Sequence, residues 1–312
     1  MINNPINKSR RTSGISALFL TTLIWGGTFT IVKVVLNDIS SMLFIGLRFL
    51  VASLIILPFA FYKLKKMNRQ QFKMGLILGF LLFIGFAFQT VGLKYTTASK
   101  SGFVTGSAVM FIPLIQFLVE RVKPSLAQII GSFIVLIGLV FLSVSGSSLS
   151  NFFEELGGNF NIGDFLTLLC AISYAIYVIY LDLTSRKVDV LNLVFMQIFV
   201  TSILAFVFSF FLSGINFEEV KFNLTKELLF GLLYTSILAT VITTLLQTKY
   251  QKEVSPTNAG IIFSFEPVFA AIIAVIFLGD VISGFTTAGC ILIFTGLIVS
   301  EVIGQKAFPT NE

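Results

Sequence analysis

Glu266 is the residue most in need of a chemical reason. It falls about eleven residues into the apolar stretch 255–277, SPTNAGIIFSFEPVFAAIIAVIF, and no other acidic residue lies so deep in any apolar run. An ionised side chain at that depth in hydrocarbon costs roughly 2.5 to 3.5 kcal/mol, so the carboxyl faces a cavity, a partner or water, or is protonated. Two roles fit: a proton carrier, or a structural acceptor for backbone groups freed by the adjacent Pro267. Three cations stand near matching ends of other runs. Lys33 and Arg48 lie toward one end of runs 14–37 and 41–62, and Lys100 near the same side of run 97–119. Together they make a vestibule attractive to a carboxylate or phosphate. Alternatively, Lys33 snorkels outward or pairs with Asp38, and Arg48 holds helix ends together.

Other chemistries are excluded by what is missing. The chain has no histidine, and its two cysteines, Cys170 and Cys290, are both inside apolar runs. That removes a His-based zinc site, a Ser-His or Cys-His nucleophile and a CxxC motif. No GxxxxGK[ST] phosphate loop occurs, so the chain does not hydrolyse ATP. Rhomboid-type proteolysis needs a histidine and aspartyl-type proteolysis a second deep acid, since the LGD at 278–280 is at a run's end. No metal, cofactor or nucleic acid is called for; the partners expected are a small solute and the lipid bilayer.

The elements that must position these residues are helices in a membrane. Of 312 residues, 56% are hydrophobic and 12% charged, with a mean hydropathy of +0.96, too little polar surface for a soluble domain of this size. A helix needs roughly 20 residues to cross about 30 Å of hydrocarbon. Ten runs qualify: 14–37, 41–62, 73–93, 97–119, 124–145, 163–183, 190–212, 226–248, 255–277 and 283–303. Continuous rather than alternating apolarity favours helices over a barrel. The first dozen residues form a basic tail that is not a cleaved signal. Of 21 Lys and Arg, 15 fall on the side of the N-terminus, so both termini are predicted cytoplasmic, and the acidic loop around Glu154 and Glu155 lies outside.

The chain repeats itself. Gly102, Gly131 and Gly138 recur at Gly260, Gly289 and Gly296 under a shift of 158, and a shift of 149 carries Gly14 to Gly163, Trp25 to Tyr174 and Arg48 to Gln197. Five spans per repeat start the two halves on opposite faces, so the halves, 14–146 and 161–304, are inverted. Inverted repeats build secondary transporters with the solute site near the midplane. Gly75 with Gly79, and Gly102 with Gly106, read as small-residue packing pairs, and Ser255 before Pro256 as an N-cap with a first-turn proline.

These paired elements, WGGTF with SYAIY, LRFLVASLIILP, and KYTTASKSGFVTGS with SPTNAGIIFSFEPVFAAIIAVIFLGD, resemble the EamA-like branch of the drug/metabolite transporter superfamily over residues 14–304. The resemblance implies ten helices in two inverted five-helix repeats, with a cavity lined mainly by spans one, three, four, six, eight and nine. The polar and aromatic residues on those spans, Trp25, Thr28, Gln89, Tyr174, Tyr177, Thr243, Thr244, Gln247, Asn258 and Ser264, are then candidate solute contacts. Trp25 and its counterpart Tyr174 are placed to sandwich an amphipathic solute, or else to pack helices. The expected function is secondary transport of a small organic metabolite, such as an amino acid, by alternating access. An intramembrane enzyme, and a channel or lipid flippase, are the alternatives.

Overall fold

Apolar runs this long satisfy their own backbone only as helices when they lie in lipid, and helices are what the chain forms. The computed structural model describes residues 8–143, 160–278 and 283–300; the loop carrying Glu154 and Glu155, the LGD at 278–280 beyond Leu278, and Lys306 lie outside the described residues. In chain order the helices are α1 (Lys8–Gly26), α2 (Thr28–Val35), α3 (Ser41–Leu64), α4 (Arg69–Tyr95), α5 (Ala98–Gly106), α6 (Ala108–Glu120), α7 (Leu126–Ser143), α8 (Ile162–Ser185) and α9 (Val190–Gly214). There follow α10 (Lys226–Leu233), a π-helix (Tyr234–Ile242), α11 (Thr243–Tyr250), a 3-10 turn (Gln251–Glu253), α12 (Pro256–Phe263), α13 (Glu266–Leu278) and α14 (Gly284–Ile298).

Eight helical segments among the described residues are long and apolar enough to cross a membrane, some made of two or more consecutive helices, while α7 and α14 are shorter apolar helices. Large apolar side chains point outward, Phe210 being 72% and Phe230 62% exposed. Such rings suit lipid and would be a liability in water.

Several boundaries differ from the sequence expectation, each for a local reason. The basic residues from Lys8 to Arg11 belong to α1 rather than to a tail. Helix α4 begins at Arg69, not 73, because Asn68 and Gln71 form a reciprocal capping box. Asn161 and Asp164 do the same for α8. Ser255 caps α12 with Pro256 at its start, as expected. Three runs expected as single helices are broken at mid-length. The first breaks at Gly27, where the Thr28 hydroxyl donates to the Trp25 carbonyl at 2.8 Å. The fourth breaks at Ser107, whose hydroxyl donates to Val104 at 2.6 Å. The ninth breaks at Ser264–Phe265, which leaves Pro267 in the first turn of α13, where its missing N–H is not needed. The eighth widens into the π-helix.

Close packing fixes the frame around these breaks. Helix α7 lies along α14, α3 along α9, and α4 along α8. On the first pair, a Cβ on Gly131 would come 2.7 Å from the Gly296 carbonyl, and one on Gly296 would come 2.7 Å from that of Gly131. Gly138 and Gly289 meet in the same reciprocal way, at 2.9 and 2.7 Å. Backbone touches backbone, which only residues without side chains allow. Gly75 and Gly79 likewise accept Met196 and Val200 of α9.

At one end, the segment between α9 and α10 is tied to the turn before α3. Ser40 N–H donates to the Lys221 carbonyl at 3.1 Å, and the Glu218 carboxylate accepts from Ser41 N–H at 3.0 Å and Met42 N–H at 3.3 Å while pairing with Lys94. Burial pushes the Glu218 carboxyl up, but the Lys94 ammonium and the two N–H groups outweigh it and hold it below its ordinary value.

Two predictions follow from these contacts. Gly138→Leu should lower the melting temperature in detergent, because overpacking costs about 1–3 kcal/mol. Gly102→Ala, whose nearest neighbour would be 3.8 Å away, should leave it unchanged or slightly raised. For Glu218, whose carboxyl is lowered on folding, the contribution to stability is present above the ordinary value of 4.5 and is lost as pH falls through the lower folded value. The melting-temperature gap between wild type and Glu218→Gln should therefore be full at neutral pH and close as pH falls below about 4.

Candidate functional site

The breaks in the first, fourth and ninth runs and the π-helix of the eighth surround one cavity. Its wall includes Trp25 and Thr28, Arg48 and Phe49, Phe86 and Gln89, Thr105, Cys170, Tyr174 and Tyr177, Thr240, Thr244 and Gln247, and Glu266. Seven of the ten residues expected to contact a solute thus meet here: Trp25, Thr28, Gln89, Tyr174, Tyr177, Thr244 and Gln247. The space is tight, about 60 Å³, room for roughly four to six waters.

One end is an aromatic cluster. The Trp25 ring lies edge-on to Tyr174 with centroids 6.0 Å apart, and 5.5 Å from Phe263. Tyr174 stacks on Tyr177 at 5.8 Å. Polar tips hold these rings in place. Gln247 donates to the Tyr174 hydroxyl at 3.3 Å, and the Tyr177 hydroxyl donates to Gln197 at 2.8 Å, whose own amide donates to Thr248 at 3.0 Å. Gln197 therefore locks helices together behind the wall.

The cavity also holds one cation and one carboxyl. Arg48 is only 3% exposed. Its Nε donates to Thr240 Oγ1 at 2.8 Å and an Nη to the Ala239 carbonyl at 3.0 Å, both on the π-helix. The guanidinium faces the Phe86 ring at 4.7 Å and the Phe49 ring at 5.4 Å. A π-turn shifts its hydrogen-bond register, and such turns gather at functional sites. Glu266 lines the same cavity, but its carboxyl forms no hydrogen bond and no ion pair with any described residue. The backbone that Pro267 was expected to free, for Glu266 to satisfy, is absorbed by the break at Ser264–Phe265.

Several placements differ from the sequence expectation. Arg48 is not at a vestibule; its side chain turns inward onto the π-helix, which adds the second span to the cavity wall. Lys33 does not pair with Asp38. Its ammonium donates to the carbonyls of Leu93 at 2.5 Å and Thr96 at 2.8 Å, capping the end of α4, while Asp38 accepts from Thr225. Lys100 is bound to the fully buried Asp164 at 2.6 Å. Asn258 accepts from Gln128 at 3.2 Å and Ser300 at 2.9 Å, behind the wall. Ser264 donates to the Gly260 carbonyl at 3.0 Å, and Thr243 is buried away from the cavity. Missed residues stand one helical turn from named ones: Thr240 from Thr244, Cys170 from Tyr174, and Phe86 from Gln89. No group of three or more potential metal ligands occurs among the described residues.

The chain matches the model of the EamA-like transporter family over residues 12–144 and again over 161–301. It is 33% identical over 282 residues to an "uncharacterized transporter" of Archaeoglobus fulgidus, covering 90% of this chain and 83% of that one. It is 23% identical to the transporter YoaV of Bacillus subtilis, covering 89% and 93%. A protein of known crystal structure, 17% identical, superposes with a TM-score of 0.75 over 95% of this chain and 99% of its own, a likeness of fold. With one family model accounting for both stretches and so nearly the whole of this multi-pass chain, the protein belongs to the EamA-like transporter family.

Proposed function

We propose that the protein is a secondary transporter of a small organic metabolite, an amino acid or related compound, working by alternating access around the central cavity. The observation that carries this reading is the meeting of an aromatic cluster, a buried cation and an unpartnered carboxyl where three helices break, the arrangement in which discontinuous helices bind solutes at the midplane. Arg48, held by the π-helix, receives an anionic group of the solute; Glu266 faces a cationic group or carries a proton; Trp25 and Tyr174 flank the apolar part. Because the space holds only a few waters, a metabolite enters only when the walls part, which favours moving halves over an open channel.

The chain is read as ten spans in two inverted repeats, 14–146 and 161–304. Support comes from the reciprocal contacts of Gly131 with Gly296 and Gly138 with Gly289. Under the shift of 158, Gly131 maps to Gly289 and Gly138 to Gly296, so each contact maps onto the other, as a pseudo-twofold axis requires. The breaks at Ser107 and Phe265 are also 158 apart. The excess of Lys and Arg on the N-terminal side supports cytoplasmic termini, and the protein is read as lying in the cytoplasmic membrane.

The test is transport in proteoliposomes, with a solute first found by counterflow among amino acids, nucleosides and organic anions. If Glu266 carries the proton, Glu266→Gln retains binding and exchange but loses uptake driven by an imposed pH gradient. Normal pH-driven accumulation by that variant would eliminate the proton-carrier role. Wild type without pH-driven accumulation would make exchange or facilitated diffusion the mode of transport.

A further inference from the structure

Helix α11 has two faces, and only one belongs to the central cavity. Thr244 and Gln247 point into it, and Gln251 continues that face by donating to the Val178 carbonyl at 2.8 Å. The opposite face carries Leu245 and Lys249, and Lys252 in the 3-10 turn that follows continues it. These residues line a second cavity of about 700 Å³, within the range of about 300–1,000 Å³ typical of ligand clefts.

This second cavity lies where four membrane-crossing segments end. Ser9 and Arg10 start the first, Lys63 is near the end of the second, Val190 and Leu191 begin the segment of α9, and Lys249 to Glu253 end the one built on α11. It therefore lies at the boundary between hydrocarbon and water. Its wall is divided accordingly, with Val190, Leu191 and Leu245 apolar, and Arg10, Lys63, Lys249 and Lys252 cationic against Asp189 and Glu253. Lys63 is neutralised by Asp189 at 2.8 Å. Arg10, Lys249 and Lys252 form no ion pair with any described residue. Lys249 rests over the Tyr250 ring at 4.8 Å, and Lys252 donates to the Ser185 carbonyl at 3.4 Å and lies near enough to act on the charge of Asp182 without forming an ion pair.

We infer that this cavity binds the phosphate-bearing headgroup of an anionic membrane lipid, with Arg10, Lys249 and Lys252 on the phosphate and Val190, Leu191 and Leu245 against the start of the acyl chains. Three cations outside any salt bridge among the described residues, beside an apolar wall at interfacial depth, match the charge and amphiphilicity of such a lipid, whereas a soluble anion would use only the cationic part. The bound headgroup bridges α1, which carries Trp25, to α11, which carries Thr244 and Gln247. It so couples lipid composition to two walls of the solute cavity, and the binding itself depends on no particular solute.

The experiment is a thermal-shift titration of the full-length protein in neutral detergent with short-chain phosphatidic acid, short-chain phosphatidylcholine and inorganic phosphate as separate probes. Phosphatidic acid is expected to stabilise the protein saturably and the other two not to. Removing a cation is expected to weaken binding about fivefold, so the triple variant Arg10→Gln, Lys249→Gln, Lys252→Gln should lose affinity about a hundredfold. The triple variant Lys65→Gln, Lys66→Gln, Arg69→Gln, with the same change of charge at exposed positions outside the cavity, should keep it. In wild type alone, raising salt to about 0.5 M should weaken the titration. Equal stabilisation by inorganic phosphate would overturn the lipid assignment in favour of a solution anion. Equal stabilisation by phosphatidylcholine, an equal loss in both triple variants, or a salt-independent titration would overturn the site.

Discussion

A membrane interior offers no water to a charged or polar group, so each one must find a partner in the protein or a cavity of its own. Arg48 and Glu266 meet that constraint in opposite ways. Arg48 is buried but satisfied, because the π-helix supplies the Ala239 carbonyl and the Thr240 hydroxyl, and two phenylalanine faces cover the guanidinium. Glu266 has no such partner and relies on the cavity itself. Much of the irregularity in this helical protein lies around the space these two groups share, and removing the π-helix would leave a cation stranded in hydrocarbon.

The regular parts have the complementary task. Helices α7 and α14 touch backbone to backbone through glycines, and α4 and α8 meet in the same way at Gly92 and Gly163. Contacts so close leave little freedom to slide. Freedom lies instead in the broken segments, α1 with α2, α5 with α6, and α12 with α13, which carry cavity residues at or beside their breaks. A rigid frame with jointed helices at its centre is the mechanical arrangement that the proposed alternating access would require. The tight cavity is consistent with that proposal, under which the walls part to admit the solute.

The apolar runs are enough to locate the helices, and the family resemblance implies which of them line the central cavity. Trp25, Tyr174 and Glu266 stood out because an aromatic or acidic residue at mid-span is conspicuous against an apolar background. What the sequence concealed depended on tertiary partners. Arg48 reads as a helix-end cation until the π-helix of another span is seen to offer its oxygens. Lys33 reads as a free or paired charge because nothing in its neighbourhood reveals that α4 ends 60 residues later with carbonyls within its reach. Asn258 and Ser264 read as cavity residues until Gln128, Ser300 and the Gly260 carbonyl are seen to hold their side chains. Local pattern locates a polar residue along a helix, and its partner decides its role.

The central claim is that solute binds against Trp25, and the chain permits a direct test because Trp25 is its only tryptophan. Tryptophan emission, excited at wavelengths that the seven tyrosines do not absorb, therefore reports on the cavity. The measurement is a titration of the purified protein with a solute that it exchanges in proteoliposomes. A saturable change in Trp25 emission, half-complete at the concentration that half-saturates exchange, is the predicted result. A solute that exchanges saturably while Trp25 emission stays constant would contradict the account and return Trp25 to helix packing.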